Sequence, residues 1–306
     1  VNQKLTCQNG ENLLSFEKTV EDTAVELLRM AVTELPKDIK EAIHKAYEEE
    51  TSAAGKTQLK AIIDNFTLAK QTRKPMCQDT GTIIFYLKAG ADLKNLDRIK
   101  TALVAATRRA TSEIPLRPNA VDPLKRQNTG DNTGRNIPYL NWEITPGNTL
   151  EITALPKGGG SENVCRLGML VPGEGLNGLK KFVIDSVVTS GAKPCPPNIL
   201  GIGFGGGADI ALKLAKKALL RPVNQPHPDP ELRKLEEELM EAANLTGIGP
   251  MGLGGKTTVL GVNIDYAARH PASYPAAVAF NCWAARRSTA CIHEEGRVEF
   301  LTHELR

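Results

Sequence analysis

The sequence holds six cysteines among 306 residues but no Cys-x-x-Cys pair. Zinc-finger and ferredoxin-type ligand spacings are therefore excluded. So few cysteines over this length do not make a disulfide scaffold. No apolar run approaches the roughly 18 residues that a membrane span needs. The first stretch carries Glu11, Glu17, Glu21, Asp22 and Glu26 and no apolar segment of an export signal, so the expected setting is cytoplasmic with reduced thiols. A strong excess of one charge is also missing: 38 Lys and Arg against 35 Asp and Glu give +3. That balance points away from nucleic acid and membrane partners. No repeat of fixed period and no low-complexity tract occurs.

What is present is a change of periodicity along the chain. Val20, Ala24, Leu27 and Leu28 recur at helical spacing within Glu17–Val32, Ile39, Ala42, Ile43 and Ala46 share a face after Pro36, and a third helix spans Ser52–Gln71. Strands are expected at Thr82–Leu87, Leu140–Ile144, Leu150–Leu155, Asn198–Phe204, Thr257–Ile264, Ala276–Asn281, Thr289–His293 and Val298–Leu301. A Pro146-Gly147 turn separates the second and third of these. Helices are expected at Leu96–Thr111, Leu176–Ser190 and Ala208–Leu220, and another starts at Asp229-Pro230, an N-cap followed by proline at N1. The fold class is α/β: a mixed β-sheet domain with packed helices behind a helical N-terminal section, residues 1–75, with mixed α/β structure over 76–306. No linker divides it, so the expectation is one domain. Between Ile114 and Pro138 lies an irregular stretch rich in Pro, Asn and Gly, and so long a loop is uncommon unless functional.

Three glycine-rich stretches invite ligand readings. Gly201-Ile-Gly203-Phe-Gly205-Gly206 matches G-x-G-x-x-G, but Pro194, Pro196 and Pro197 crowd the preceding strand and no acidic residue follows at ribose distance. A helix-opening turn, able to seat an anion on backbone N–H groups, is the simpler reading. Gly254-Gly255-Lys256-Thr257 imitates the end of a P-loop but leads into a strand, so a nucleotide site is rejected. Lys157-Gly158-Gly159-Gly160-Ser161-Glu162-Asn163 follows a strand and is either a flexible turn or a close approach of backbone to ligand.

Among the cysteines, Cys77, Cys195 and Cys282 lie at expected loops or strand ends with cations nearby: Arg73 and Lys74, Lys193, and Arg286 and Arg287. Neighbouring cations favour the thiolate, the metal-ligating form. Cys7 is near a terminus, and Cys165 and Cys291 sit among apolar and small residues as packing cysteines. Spacing alone does not join the first three into one site.

Four segments then occur in a telling order: Lys74-Pro-Met-Cys-Gln-Asp-Thr-Gly81, Gly158-Gly-Gly-Ser-Glu-Asn163, Cys195-Pro-Pro197, and Cys282-Trp-Ala-Ala-Arg-Arg287. Together they resemble the class I, iron–sulfur-dependent fumarate hydratases and the related L-tartrate dehydratases. The likeness is to the alpha subunit of a two-subunit enzyme, or to the N-terminal domain of the single-chain form. It implies a 4Fe–4S cluster held by Cys77, Cys195 and Cys282, leaving one iron without a protein ligand to act as a Lewis acid on substrate. It also implies that Gln78 and Asp79 contact substrate, that Asp79 assists the base, that Arg117 clamps a dicarboxylate, and that the Gly160 N–H meets substrate. The remaining arginines, a lysine and a threonine base of the family have no counterpart here. A separate beta subunit is expected to supply them, in a two-alpha, two-beta assembly. Fumarate is the favoured substrate because Gly160-Ser-Glu-Asn163 and Phe280-Asn-Cys282 look closer to the fumarase form. L-tartrate, a non-catalytic iron–sulfur sensor and a nucleotide-binding oxidoreductase are the alternatives.

Overall fold

The computed structural model describes residues 5–304, with side chains from residue 16 onward. The elements run α1 (Leu5–Thr33), α2 (Lys37–Glu49), α3 (Ala53–Thr72), β1 (Thr82–Gly90), α4 (Leu96–Glu113), β2 (Tyr139–Thr145), β3 (Leu150–Lys157), α5 (Gly159–Glu162), β4 (Arg166–Leu170), α6 (Gly175–Ser190), β5 (Asn198–Gly206), α7 (Ala208–Ala218), α8 (Pro230–Leu245), β6 (Val259–Arg269), β7 (Tyr274–Asn281), β8 (Ser288–Ile292) and β9 (Val298–Phe300). The expected α/β class and the helical N-terminal section are both present. The chain divides into two compact units, each discontinuous in sequence. The first comprises residues 1–36, 66–157 and 286–306, and the second residues 37–65 and 158–285.

The first unit is built on a five-stranded sheet of order β2-β1-β3-β8-β9. Only β1 and β2 are parallel. Strand alternation turns Ile83, Phe85, Leu87 and Ala89 of β1 to one face. They pack there with Val20, Ala24, Leu27 and Leu28 of α1 and with Ile99, Leu103 and Ala106 of α4. β2 and β3 are neighbours in sequence, joined by the expected turn, yet β1 lies between them. The connection crosses the end of β1, where Gly90 donates to the Thr149 carbonyl at 2.8 Å and Asp92 to that of Gly147 at 2.9 Å. A Cβ at Gly90 would stand 2.1 Å from the Gly147 oxygen, so this crossing needs glycine.

The second unit has a four-stranded sheet of order β4-β7-β5-β6, with only β5 and β6 parallel. All eight residues of β7 are buried, as its central position and its run of Ala, Val and Phe require. Leu200 and Ile202 of β5 join Leu179 and Val183 of α6 and Leu235 and Leu239 of α8 in one core. The alternate residues, Gly201 and Gly203, face α7. A Cβ on either would lie 2.1 Å from a backbone oxygen of that helix. The first two glycines of the G-x-G-x-x-G look-alike are thus strand interior and serve close helix–sheet packing, while Gly205 and Gly206, both at positive φ, close the strand just before α7 opens. α8 starts as read from sequence, with Asp229 accepting from the Glu231 N–H at 2.8 Å and proline at N1. β4 is absent from the sequence reading. Its central Gly168 weakens strand propensity, and the Phe182 ring explains it: a Cβ there would be 2.8 Å from that ring.

Candidate active site

In the first unit Cys77, Gln78 and Asp79 occupy the loop between α3 and β1. Met76, buried, anchors that loop by donating its N–H to the Val32 carbonyl at 2.9 Å. Asp79 is the hub. Its N–H points to the Cys77 Sγ at 3.4 Å, and its carbonyl accepts from Arg286 at 2.5 Å. Its Oδ1 accepts from the Gly81 N–H and from the Asn119 amide, both at 2.8 Å. Asn119 is two residues beyond Arg117 in the irregular 114–138 stretch, so this carboxylate is tied to the segment that carries the arginine.

Side chains order that stretch together with two isolated backbone bridges, Val121 with Asn128 and Gly134 with Ile137. Asn132, 1% exposed, accepts from the Asn119 N–H at 2.6 Å and donates to the Arg117 carbonyl at 3.2 Å and to the Thr111 hydroxyl at 3.1 Å. The Arg117 side chain itself is exposed. A cavity of about 450 Å³ opens beside this network, lined by Gly81, Thr82, Asn119, Asn132 and Arg135 among others. Asp131 holds the turn into Asn132: burial works to raise its pKa, but donation from the Thr133 hydroxyl and N–H and the pairing with Arg108 outweigh it and hold the carboxyl below the usual aspartate range.

In the second unit Cys195 and Cys282 share a corner. Asn198, 3% exposed, donates one amide hydrogen to the Pro194 carbonyl at 2.9 Å and the other to the Asn281 carbonyl at 3.2 Å. The residues immediately before both cysteines are therefore tied by one side chain. The Trp283 N–H donates to the Cys195 carbonyl at 3.2 Å. Cys195 has φ +54°, an uncommon conformation for a residue with a Cβ. It is held there from the other side by the Met251 N–H, which donates to Pro196 at 2.8 Å. Gly160, at the second position of α5, lies against the same loop: a Cβ on it would stand 3.4 Å from the Lys193 carbonyl oxygen.

The look-alike P-loop end has a structural role at this corner. Glu50, 3% exposed, accepts from the Thr51 and Ser52 N–H groups at 2.9 Å and from the Lys256 N–H at 2.9 Å. Burial works to raise its pKa, but the donors from Ser52, Lys256, Thr51 and Thr257 prevail and hold the carboxyl below the usual glutamate range. Gly255 packs directly on this carboxylate. The 249–256 loop that delivers Met251 to Pro196 is thereby fixed.

A sequence profile described as fumarate hydratase (fumerase) matches residues 21–291. The chain belongs to the fumarate hydratase family. It is a hydro-lyase. A Methanocaldococcus jannaschii protein named provisionally as L(+)-tartrate dehydratase subunit alpha is 47% identical over 273 residues, covering 88% of this chain and 96% of that one. The L(+)-tartrate dehydratase alpha subunits of Escherichia coli O157:H7 and of Escherichia coli strain K12 are each 39% identical over 275 residues, covering 90% of this chain and 91% of theirs.

For a fumarate hydratase family member the donor set matters. Cys77, Cys165, Cys195, Cys282 and Cys291 are all partly exposed and none is in a disulfide. Among the described residues no three of His, Cys, Asp or Glu are grouped to chelate a single metal ion. A 4Fe–4S cluster asks for something else, since each thiolate binds a different iron. Partly exposed thiols on anchored loops, one of them facing a backbone N–H donor, have the donor chemistry such a cluster binds. Cys165 instead directs its thiol to the Ser161 carbonyl at 3.6 Å. The Cys291 thiol is pushed up by burial and by the nearby Glu151 carboxylate. Cys7 lies in α1, and its side chain is outside the described residues. The sequence reading missed Asn119, Asn132, Asn198 and Glu50. Asn132 stands in an Asn-Thr-Gly, whose composition signals a turn and not a buried tie.

Proposed function

We propose that this chain is the alpha subunit of a 4Fe–4S hydro-lyase acting on a four-carbon dicarboxylate, and that its reaction is the reversible hydration of fumarate to L-malate. The observation that carries the reading is the corner of the second unit, where one buried asparagine ties the Cys195 loop to the strand end bearing Cys282, with Gly160 against the same loop. Cys77, Cys195 and Cys282 would hold the cluster. When bound, it supplies Lewis acidity at the one iron that no thiolate occupies.

The chain's own groups have separable tasks. The Arg117 guanidinium is exposed and matches a carboxylate with two parallel N–H donors. Gln78, also exposed, offers an amide to the substrate, and the Gly160 N–H offers a further donor. Asp79 assists the base, its carboxylate oriented through Oδ1 by Asn119 and Gly81. A beta subunit completes the pocket, in a two-alpha, two-beta assembly. The names of the curated relatives, all alpha subunits, support a partner. Those same names favour a second reading, dehydration of L(+)-tartrate. A cytoplasmic setting suits the thiols.

The test is coexpression with the protein encoded beside this gene, anaerobic cluster reconstitution, and parallel assays with fumarate and L(+)-tartrate. Faster fumarate turnover upholds the proposal, and turnover of tartrate alone replaces it by the second reading. A full cluster with turnover of neither identifies a sensor. Full turnover by this chain without a partner refutes the subunit assignment.

A further inference from the structure

Arg286 is a buried cation that none of these roles uses. It is 3% exposed and donates to the Asp79 carbonyl at 2.5 Å. Its Nε has no hydrogen-bond partner, and no carboxylate among the described residues pairs with it. Arg221 makes the contrast: its Nε is likewise without a partner, but its guanidinium is ion-paired with Glu236. A guanidinium carries five N–H donors, and burial of its charge without a counter-ion is costly. The place where Arg286 sits therefore lacks an anion. The residue it touches identifies the source, because Asp79 also gives its own N–H to the Cys77 Sγ at 3.4 Å. A single residue's backbone thus links the guanidinium to the thiol. Three thiolates on a 4Fe–4S core leave a net anion.

We propose that Arg286 is a positioning residue that supplies the counter-charge for the cluster at Cys77 and holds the Cys77–Asp79 loop toward it. This rests on the reading of Cys77 as a cluster ligand. It makes one unusual demand: removing the charge should cost the iron-free protein nothing while weakening the cluster.

The experiment compares the full chain with its Arg286→Met and Arg286→Lys variants. Each is reconstituted anaerobically with ferrous iron and sulfide, then followed for iron per chain, for iron loss to a chelator, for midpoint potential, and for melting of the iron-free form. For Arg286→Met the expected results are an iron-free melting temperature no lower than wild type, a cluster affinity reduced about tenfold or more, and a more negative potential. Arg286→Lys should recover most of the retention. Wild-type iron retention in Arg286→Met overturns the proposal, as does equal behaviour of Met and Lys. A markedly lower iron-free melting temperature for Arg286→Met also overturns it, by showing a structural prop. If the folded wild-type chain takes up no cluster, the ligand reading itself has failed; normal uptake with an indifferent Arg286 sinks this inference alone.

Discussion

Asn198→Ala is the sharpest perturbation of the corner that carries the functional reading. The side chain gives its two amide hydrogens to the Pro194 and Asn281 carbonyls and none to a thiol. Both of those residues are buried, so water does not replace the lost donors. Leaving a buried acceptor unsatisfied costs about 1–3 kcal/mol. Two of them together give at least about 2–4 kcal/mol. For a chain of this size that corresponds to a melting temperature lower by about 5–10 °C. The second consequence is local. With the tie gone, nothing in this side chain links the loop before Cys195 to the strand end before Cys282, so reconstituted iron per chain should fall along with stability. Differential scanning calorimetry and an iron and sulfide count on the same anaerobic preparation measure both. Asn198→Asp, which keeps the shape but opposes two carbonyls with a carboxylate, should be worse on both counts. Melting within about 1 °C of wild type refutes the energetic argument. A destabilised variant with full iron refutes the link from Asn198 to the thiols.

Three further expectations follow from the same geometry. Serine at Cys77, Cys195 or Cys282 should each abolish the charge-transfer absorbance of the reconstituted cluster, whereas serine at Cys7 or Cys291 should leave it; cluster loss at Cys291 would show the wrong thiols were chosen. Glu50→Gln sets an amide N–H against backbone N–H donors and should cost about 1–3 kcal/mol at neutral pH. Because the folded pKa of Glu50 is depressed, its stabilisation is present above the ordinary glutamate pKa and is lost as pH falls through the folded value. The melting difference between wild type and Glu50→Gln should therefore shrink in acid, and a pH-independent difference contradicts this. Gly203→Ala would place its methyl 2.1 Å from the Ala211 oxygen, and should destabilise by about 1–3 kcal/mol or more. An alanine variant as stable as wild type in urea would disprove the packing role of that glycine.

Much of the fold was legible because it depends on local periodicity. β5 and β7 carry alternating or continuous apolar residues, and α8 announces itself by Asp229-Pro230. The sheet order was not legible. Nothing in Leu140–Leu155 says that β1 will insert between β2 and β3, since that depends on Gly90 accepting a backbone crossing from Gly147. The two units escaped notice for a related reason. The chain passes between them after Pro36, within α3, after β3 and after Ala285, and none of these crossings is marked by a long linker. β4 failed because its glycine answers to Phe182 in a different element, and intrinsic preference cannot report that.

The proposed site divides in the same way, and the division has a physical cause. Residues that would touch a cluster or substrate must present chemistry, so Cys, Asp and Arg stand out in loops of unusual composition. The groups that hold them work through amide-to-backbone bonds between segments distant in sequence, and asparagine is well suited to that. Its side chain offers two donors and an acceptor. Asn132 uses them to join residue 119 to residues 117 and 111, and Asn198 uses its two donors to join residue 194 to residue 281. Both are nearly fully buried, where an unmade bond is expensive and a made one fixes geometry. In sequence Asn132 looks like an ordinary loop asparagine and Asn198 like the opening residue of a strand. Each unit thus uses a buried amide where a regular ladder is missing, and substitutions at these amides should loosen the loops while leaving every proposed ligand in place.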